Sequence, residues 1–177
     1  MNLVLIGYRA TGKTTLARHL ARRLGWDWID ADVEIERRAR KSIARIFAEQ
    51  GEPAFRDLEA EVIADLCNRP RLVVAAGGGA PLREESRRAM RRSGQVVWLT
   101  ATPETILARM TGDATTADRR PSLTNRPPLE EIVQLLGRRE PMYRESAHLI
   151  VNTEGKSPEQ LADEVLAGLE LSPNGGA

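Results

Sequence analysis

Leu3-Val4-Leu5-Ile6 is an unbroken apolar run, and Leu16, Ala17 and Leu20 recur at helical spacing a short loop later. The run predicts a strand buried on both faces, and the spacing an amphipathic helix. Gly25 ends that helix, and Trp26-Asp27-Trp28-Ile29-Asp30 reads as a second short strand. Over 33–50, Val33, Ile35, Ile43, Ile46 and Phe47 predict two short helices parted near Lys41, with Ser42 as the N-cap of the second. Gly51 breaks the pattern, and Pro53 starts a helix whose buried stripe is Phe55, Leu58, Val62, Ile63 and Leu66. Leu72-Val73-Val74-Ala75-Ala76, closed by Gly77-Gly78-Gly79, predicts a third buried strand.

Downstream, 82–93 reads as an exposed arginine-rich helix and Gln95 to Leu99 as a fourth strand. Thr102-Pro103-Glu104 is the capped start of a helix reaching about Met110. From Gly112 to Pro128 there is no periodicity, and a loop of that length inside a compact domain predicts a lid, placed at about 112–127. Leu129 to Tyr143 is helical again, His148 to Val151 is a fifth strand, and Ser157-Pro158-Glu159 caps a last helix ending near Leu169. Residues 172–177 read as a disordered tail. Strands alternating with helices through right-handed crossovers predict an α/β fold with a doubly wound parallel sheet, its ligands at the carboxyl ends of the strands.

Composition narrows the class. A chain of 177 residues suits one domain, taken as 1–171. No stretch is long and apolar enough to span a membrane, and the first strand begins without a basic region and cleavage site ahead of it. The single cysteine, Cys67, makes no internal disulfide, so a reducing, cytoplasmic setting is expected. The net charge is +1 and the charges alternate, as in Glu34-Ile35-Glu36-Arg37-Arg38, which argues against a nucleic-acid surface. No exposed apolar stripe is evident, and a monomer is expected.

The strand ends carry the candidate chemistry. Gly7-Tyr8-Arg9-Ala10-Thr11-Gly12-Lys13-Thr14 fits the P-loop pattern, in which glycines let the backbone turn so that successive N–H groups face one phosphate chain. The helix N-terminus adds its dipole, Lys13 can reach the β- and γ-phosphates, and the Thr14 hydroxyl is placed to ligate Mg²⁺. Asp30 and Asp32 alternate at the second strand end, one suited to the Mg²⁺ water shell and the other to an acceptor; the alternative is a strand-to-helix turn with an N-cap Asp. Arg56 is either a surface arginine or a bidentate anchor for a substrate carboxylate. Arg119-Arg120-Pro121 lies in the lid, where an arginine can swing onto phosphates, and Arg138-Arg139 closes the helix after it.

Taken in order, Gly7 to Thr15, Asp30-x-Asp32, Phe55-Arg56 with Glu59, Gly77-Gly78-Gly79, Arg120-Pro121-x-Leu123 and Arg139-x-Pro141-x-Tyr143 resemble the shikimate kinase family, from Leu3 to about Leu169. A P-loop is shared by many unrelated proteins; the combination at these separations is specific. The resemblance implies a three-layer α/β/α fold of the P-loop NTPase, nucleoside monophosphate kinase-like type. Its sheet order would be 2-3-1-4-5, with substrate-binding helices at about 32–66 and a mobile lid. It implies phosphorylation of the 3-hydroxyl of shikimate by MgATP, in the biosynthesis of chorismate and aromatic amino acids.

By the same resemblance, Ala10, Thr11, Gly12, Lys13, Thr14 and Thr15 hold ATP, while Thr14 and, through water, Asp30 hold Mg²⁺. Asp32 binds ring hydroxyls and accepts the proton of the attacking hydroxyl. Arg56 and Arg139 grip the carboxylate beside Gly77, Gly78 and Gly79, with Glu59 orienting Arg56. Arg120 descends onto the phosphates, and Arg109 and the turn from Thr153 to Pro158, with Lys156, flank the adenine. Two features depart from the family or leave a choice: Ala10 stands where a second loop glycine is usual, and Arg126 competes with Arg120 for the lid role. Two other readings remain: a gluconate or nucleoside monophosphate kinase of the same fold, or a nucleotide-binding module without transfer activity. The first has no support beyond the P-loop, and the second predicts the loss of Lys13, Asp32 or a carboxylate arginine, all of which are present.

Overall fold

A computed structural model of the chain describes residues 1–112 and 127–172. Its strands are β1 (Asn2–Ile6), β2 (Asp27–Asp30), β3 (Leu72–Ala75), β4 (Gly94–Thr100) and β5 (Leu149–Asn152). They form one parallel sheet of order β2-β3-β1-β4-β5. The helices are α1 (Lys13–Leu24), α2 (Ala31–Ala39), α3 (Ile43–Asn68), α4 (Glu84–Ser93), α5 (Pro103–Gly112), α6 (Pro128–Ser146) and α7 (Pro158–Gly168), with a 3-10 turn at Ala80–Leu82. Among the described residues no helix is long and apolar enough to cross a membrane.

The unbroken apolar run of β1 follows from its central position. Leu3 and Leu5 pack with Leu16 and Leu20 of α1 and Leu161 and Val165 of α7, while Val4 and Ile6 pack with Ile35, Phe55, Val62, Met90 and Tyr143 on the other face. Each such side chain, fully buried, contributes about 1.5–3 kcal/mol. Because β3 and β4 lie on opposite sides of β1, the order reverses there, and the crevice beyond the carboxyl ends of β1 and β3 is where such sheets bind ligands.

Two expectations change. α2 starts at Ala31, directly after β2, because Asp30 is itself the N-cap: its side chain accepts from the Asp32 backbone N–H at 3.0 Å. Asp32 therefore stands in the first turn of a helix and does not alternate with Asp30 along a strand. As expected, the helical path of α3 is broken at Gly51, whose φ of 79° and ψ of 174° are not helical, so α3 is two helices meeting at a kink, with Pro53 near the start of the second. α6 runs through Pro141 to Ser146, so Arg139 lies well inside it, buried against the Tyr8 ring and the Gly78 carbonyl.

An ion-pair cluster joins α2 to α3. Glu34, nearly buried, accepts from Arg37 Nε at 2.7 Å and Arg38 Nε at 2.7 Å, and Arg38 also reaches Asp65. The hydrogen bond from Arg37 leads in holding the Glu34 carboxyl down to about 2, against the opposing pull of burial. Because that value lies below the unfolded one, the stability gained is present above the ordinary carboxylate range and is lost as pH falls towards 2.

Candidate active site

The turn from β1 into α1 is shaped for an anion. Gly12, the N-cap of α1, sits at φ 89° and offers no side chain to the first-turn N–H groups, which are left to face a ligand. Ala10 adopts φ 61°, a left-handed geometry costing an alanine about 1–2 kcal/mol. Side chains pin the loop around it. Thr11 Oγ1 donates to the Tyr8 carbonyl at 2.8 Å, Lys13 Nζ donates to the Gly7 and Tyr8 carbonyls at 3.0 and 2.7 Å, and Arg109 Nη1 donates to the Ala10 carbonyl at 3.4 Å. Beside the loop opens a cleft of about 200 Å³ lined by Ala10, Thr11, Gly12, Thr15, Arg109 and Lys156 among others. Arg109 is fixed at its edge by Thr153, through the hydroxyl at 2.9 Å and the carbonyl at 3.2 Å.

At the first turn of α1 the Thr14 hydroxyl donates to Asp30 Oδ2 at 2.6 Å, while Asp30 Oδ1 caps α2. Asp30 thus takes the N-cap alternative with one oxygen and holds the Thr14 hydroxyl with the other. Mg²⁺ at a phosphate site takes one or two protein oxygens and completes its shell with phosphate and water, and the Thr14–Asp30 donor set fits that demand. Among the described residues no group of three or more His, Cys, Asp or Glu forms a metal cage. Asp32, half-buried, follows at the start of α2.

Across the crevice two arginines converge on the glycine turn after β3. Arg56 of α3 is buried; its Nη1 donates to Glu59 Oε2 at 2.6 Å, and its Nε and Nη2 donate to Glu52 Oε1 at 3.1 and 2.9 Å. A Cβ on Gly79 would lie 2.0 Å from Arg56 Nη1, so glycine is what lets the guanidinium rest against the backbone. Arg139 of α6, also buried, donates through Nη1 to the Gly78 carbonyl at 3.3 Å, and the Tyr143 hydroxyl donates to the same carbonyl at 2.6 Å. Gly77 closes the turn by accepting from the Ala80 N–H.

Lys13, Thr14 and Asp30 therefore meet at one end of the crevice, and Arg56, Glu59, Gly78, Gly79 and Arg139 at the other. Arg120 and its rival Arg126 lie outside the described residues. Three participants were not anticipated. Glu52 precedes Arg56 by one helical turn, a spacing that signals a pair. Arg9 of the loop bonds Glu131 at the start of α6 across 122 residues, for which no local signal exists. Tyr8 lies buried beneath both Arg9 and Arg139, and burial pushes its phenol above the usual value although both arginines pull it down.

The fold and its phosphate loop make the protein a P-loop kinase. The family model for shikimate kinase matches residues 9–170, and the chain belongs to the shikimate kinase family. It is 46% identical to a shikimate kinase of Rhodopirellula baltica, over 93% of this chain and 88% of that one. With a shikimate kinase of Symbiobacterium thermophilum the identity is 41%, over 96% and 97%. The crystallised shikimate kinase of Acinetobacter baumannii, in complex with shikimate, superposes with a TM-score of 0.87 at 38% identity, over 93% of this chain and 90% of that one. The chain is accordingly a kinase that phosphorylates shikimate.

Proposed function

We propose that the chain transfers the γ-phosphoryl group of ATP to the 3-hydroxyl of shikimate, with Lys13, Asp32 and Arg120 as its catalytic residues. The observation that carries the acceptor end is the convergence of Arg56 and Arg139, from two distant helices, on one glycine turn. A buried guanidinium held by a neutral carbonyl at 3.3 Å, with no carboxylate partner among the described residues, is costly, and a substrate carboxylate offsets that cost by bidentate pairing. Glu59 and Glu52 fix the Arg56 fork in advance, so less freedom is lost on binding.

The reaction forms a bond from the acceptor oxygen to phosphorus and breaks the bond from phosphorus to the oxygen bridging to the β-phosphate. ADP leaves, and the hydroxyl proton passes to the Asp32 carboxylate. Asp32 is suited to this because its backbone is tied to Asp30 at the head of α2. Lys13 stabilises charge on the transferring group, Arg120 is assigned the same work from the lid, and Ala10, Thr11, Gly12 and Thr15 line the phosphate path, with Arg109 and Lys156 beside the nucleotide. Thr14 and Asp30 would hold Mg²⁺, which when bound neutralises phosphate charge.

We also read 1–171 as one domain with its lid at about 112–127, and the enzyme as a cytoplasmic monomer binding neither nucleic acid nor membrane. Its charge of +1 and its single, buried cysteine support this. Among the described residues the large exposed apolar side chains are Met1, ahead of β1, and Val33, Val133 and Ile150, from three separate elements.

The test is ADP release by the purified chain with MgATP against shikimate, quinate, gluconate and nucleoside monophosphates, one at a time, with the product examined by phosphorus NMR. Turnover with shikimate and phosphate on the 3-oxygen is expected. Turnover with gluconate or a nucleotide in its place would overturn the reading.

A further inference from the structure

The phosphate loop is gripped from both helices that flank residues 113–126. From α6, Glu131, almost fully buried, accepts from Arg9 Nη2 at 3.2 Å. From α5, Arg109 reaches the Ala10 carbonyl. Ala10, which accepts the second contact and adjoins the residue that makes the first, is the one loop residue in the left-handed region without being glycine. α6 also carries Arg139, about two turns beyond Glu131, so both side chains ride on one rigid rod. Tyr8 fills the space between loop and rod: the Arg9 and Arg139 guanidinium carbons are each 5.7 Å from its ring centroid, and it packs with Ile132 and Leu135 of α6.

We propose that Arg9 and Glu131 form a positioning pair through which nucleotide bound at the loop and carboxylate bound at Arg139 favour one another. This rests on the roles given above to the loop and to Arg139. Phosphate oxygens that bond the loop N–H groups favour the left-handed Ala10 geometry, which the loop otherwise holds under strain. Arg9 adjoins Ala10, so the loop geometry sets the Arg9 side chain, Glu131 transmits that setting to α6, and α6 places Arg139. Linkage requires the converse effect to be of equal size.

The experiment is calorimetric titration of shikimate into the full chain, first alone and then with saturating ADP and Mg²⁺. The unaltered protein should bind shikimate several-fold more tightly with ADP present. In Glu131→Gln and in Arg9→Gln that ratio should fall towards one. Arg9→Lys, which keeps a charge opposite Glu131, should recover most of it. A purely structural role would weaken both titrations and leave their ratio unchanged, so a ratio retained in both variants overturns the proposal, as does a ratio of one in the unaltered protein. If a Gln variant fails to fold, Glu131→Asp replaces it: an intermediate ratio is expected, and an unaltered one contradicts the pair. Failure of the unaltered protein to bind shikimate at all would instead strike the proposed function.

Discussion

The two ends of the crevice are built from different materials. The nucleotide end is backbone, a single run from Gly7 to Thr15 that closes on itself through Tyr8, Thr11 and Lys13. The acceptor end is side chains, drawn from α3 and α6 onto the turn after β3, Arg56 held by a buried ion pair with Glu59 and Arg139 by the Gly78 carbonyl. Phosphate is common to every nucleotide, and N–H groups at a helix terminus suffice for it. A particular carboxylate acceptor needs guanidinium forks at fixed positions, and only tertiary structure supplies those. Substitutions should therefore separate the ends, affecting the binding of one substrate alone without that of the other alone.

The largest effect is expected for Lys13→Ala, which removes the cation proposed to stabilise the transferring phosphate. Turnover should fall by roughly 10³-fold or more, the scale of a lost charge on a phosphoryl-transfer transition state, with shikimate affinity in the absence of nucleotide preserved. Calorimetry and coupled ADP release read the two quantities, and joint loss would mean that the ends are not separable. Asp32→Asn follows, with a fall in kcat of about 10²- to 10⁴-fold, as for a lost general base, and little change in ADP affinity. Normal turnover in that variant would remove Asp32 as proton acceptor.

Gly79→Ala should act next. Its Cβ cannot share space with Arg56 Nη1, so the guanidinium must shift, and the KM for shikimate should rise by about tenfold, roughly 1.4 kcal/mol, while the KM for ATP holds. The smallest effect concerns the fold rather than the cleft. His148 Nδ1 accepts from the Val96 N–H at 3.0 Å, and burial first, then Arg91, lowers its pKa from the ordinary value. A histidine with a lowered folded pKa contributes stability that is complete above its unfolded value and is lost as pH falls through that range to the folded one. Thermal melts from pH 8 downward should show a decline of a few degrees that is reduced in His148→Asn, whose amide oxygen can accept the same bond without titrating. An identical decline in both would show that His148 is not responsible.

This division also explains what could be read from the chain. β1, α1 and the loop between them were legible because apolar period and glycine spacing are local, and the difficult position, Ala10, stood out by the resemblance, as standing where a glycine is usual; its φ is 61°. Arg56 was legible as a candidate, but not its burial, which depends on Gly79 some twenty residues on. Asp30 and Asp32 were recognised as a pair with two geometries open, and the N-cap alternative rather than alternation on a strand is the one adopted, the two sharing the same two-residue spacing. The expected end of α6 at Tyr143 falls short of Ser146; Tyr143 packs against Trp98 and bonds the Gly78 carbonyl, contacts that no local pattern signals. Arg9 and Glu131 could not be paired at all, because only the fold brings them together.

The most direct measurement is calorimetry of shikimate and of ADP with Mg²⁺, each alone, on the unaltered chain and on Arg56→Lys. Lysine keeps the charge beside Glu59 and loses the planar fork. The shikimate Kd should rise by at least about tenfold, a loss of roughly 1.4 kcal/mol, with the ADP Kd unchanged. A parallel rise in both constants, or no rise in the shikimate constant, would contradict the separation of the two ends and the assignment of Arg56 to the substrate carboxylate.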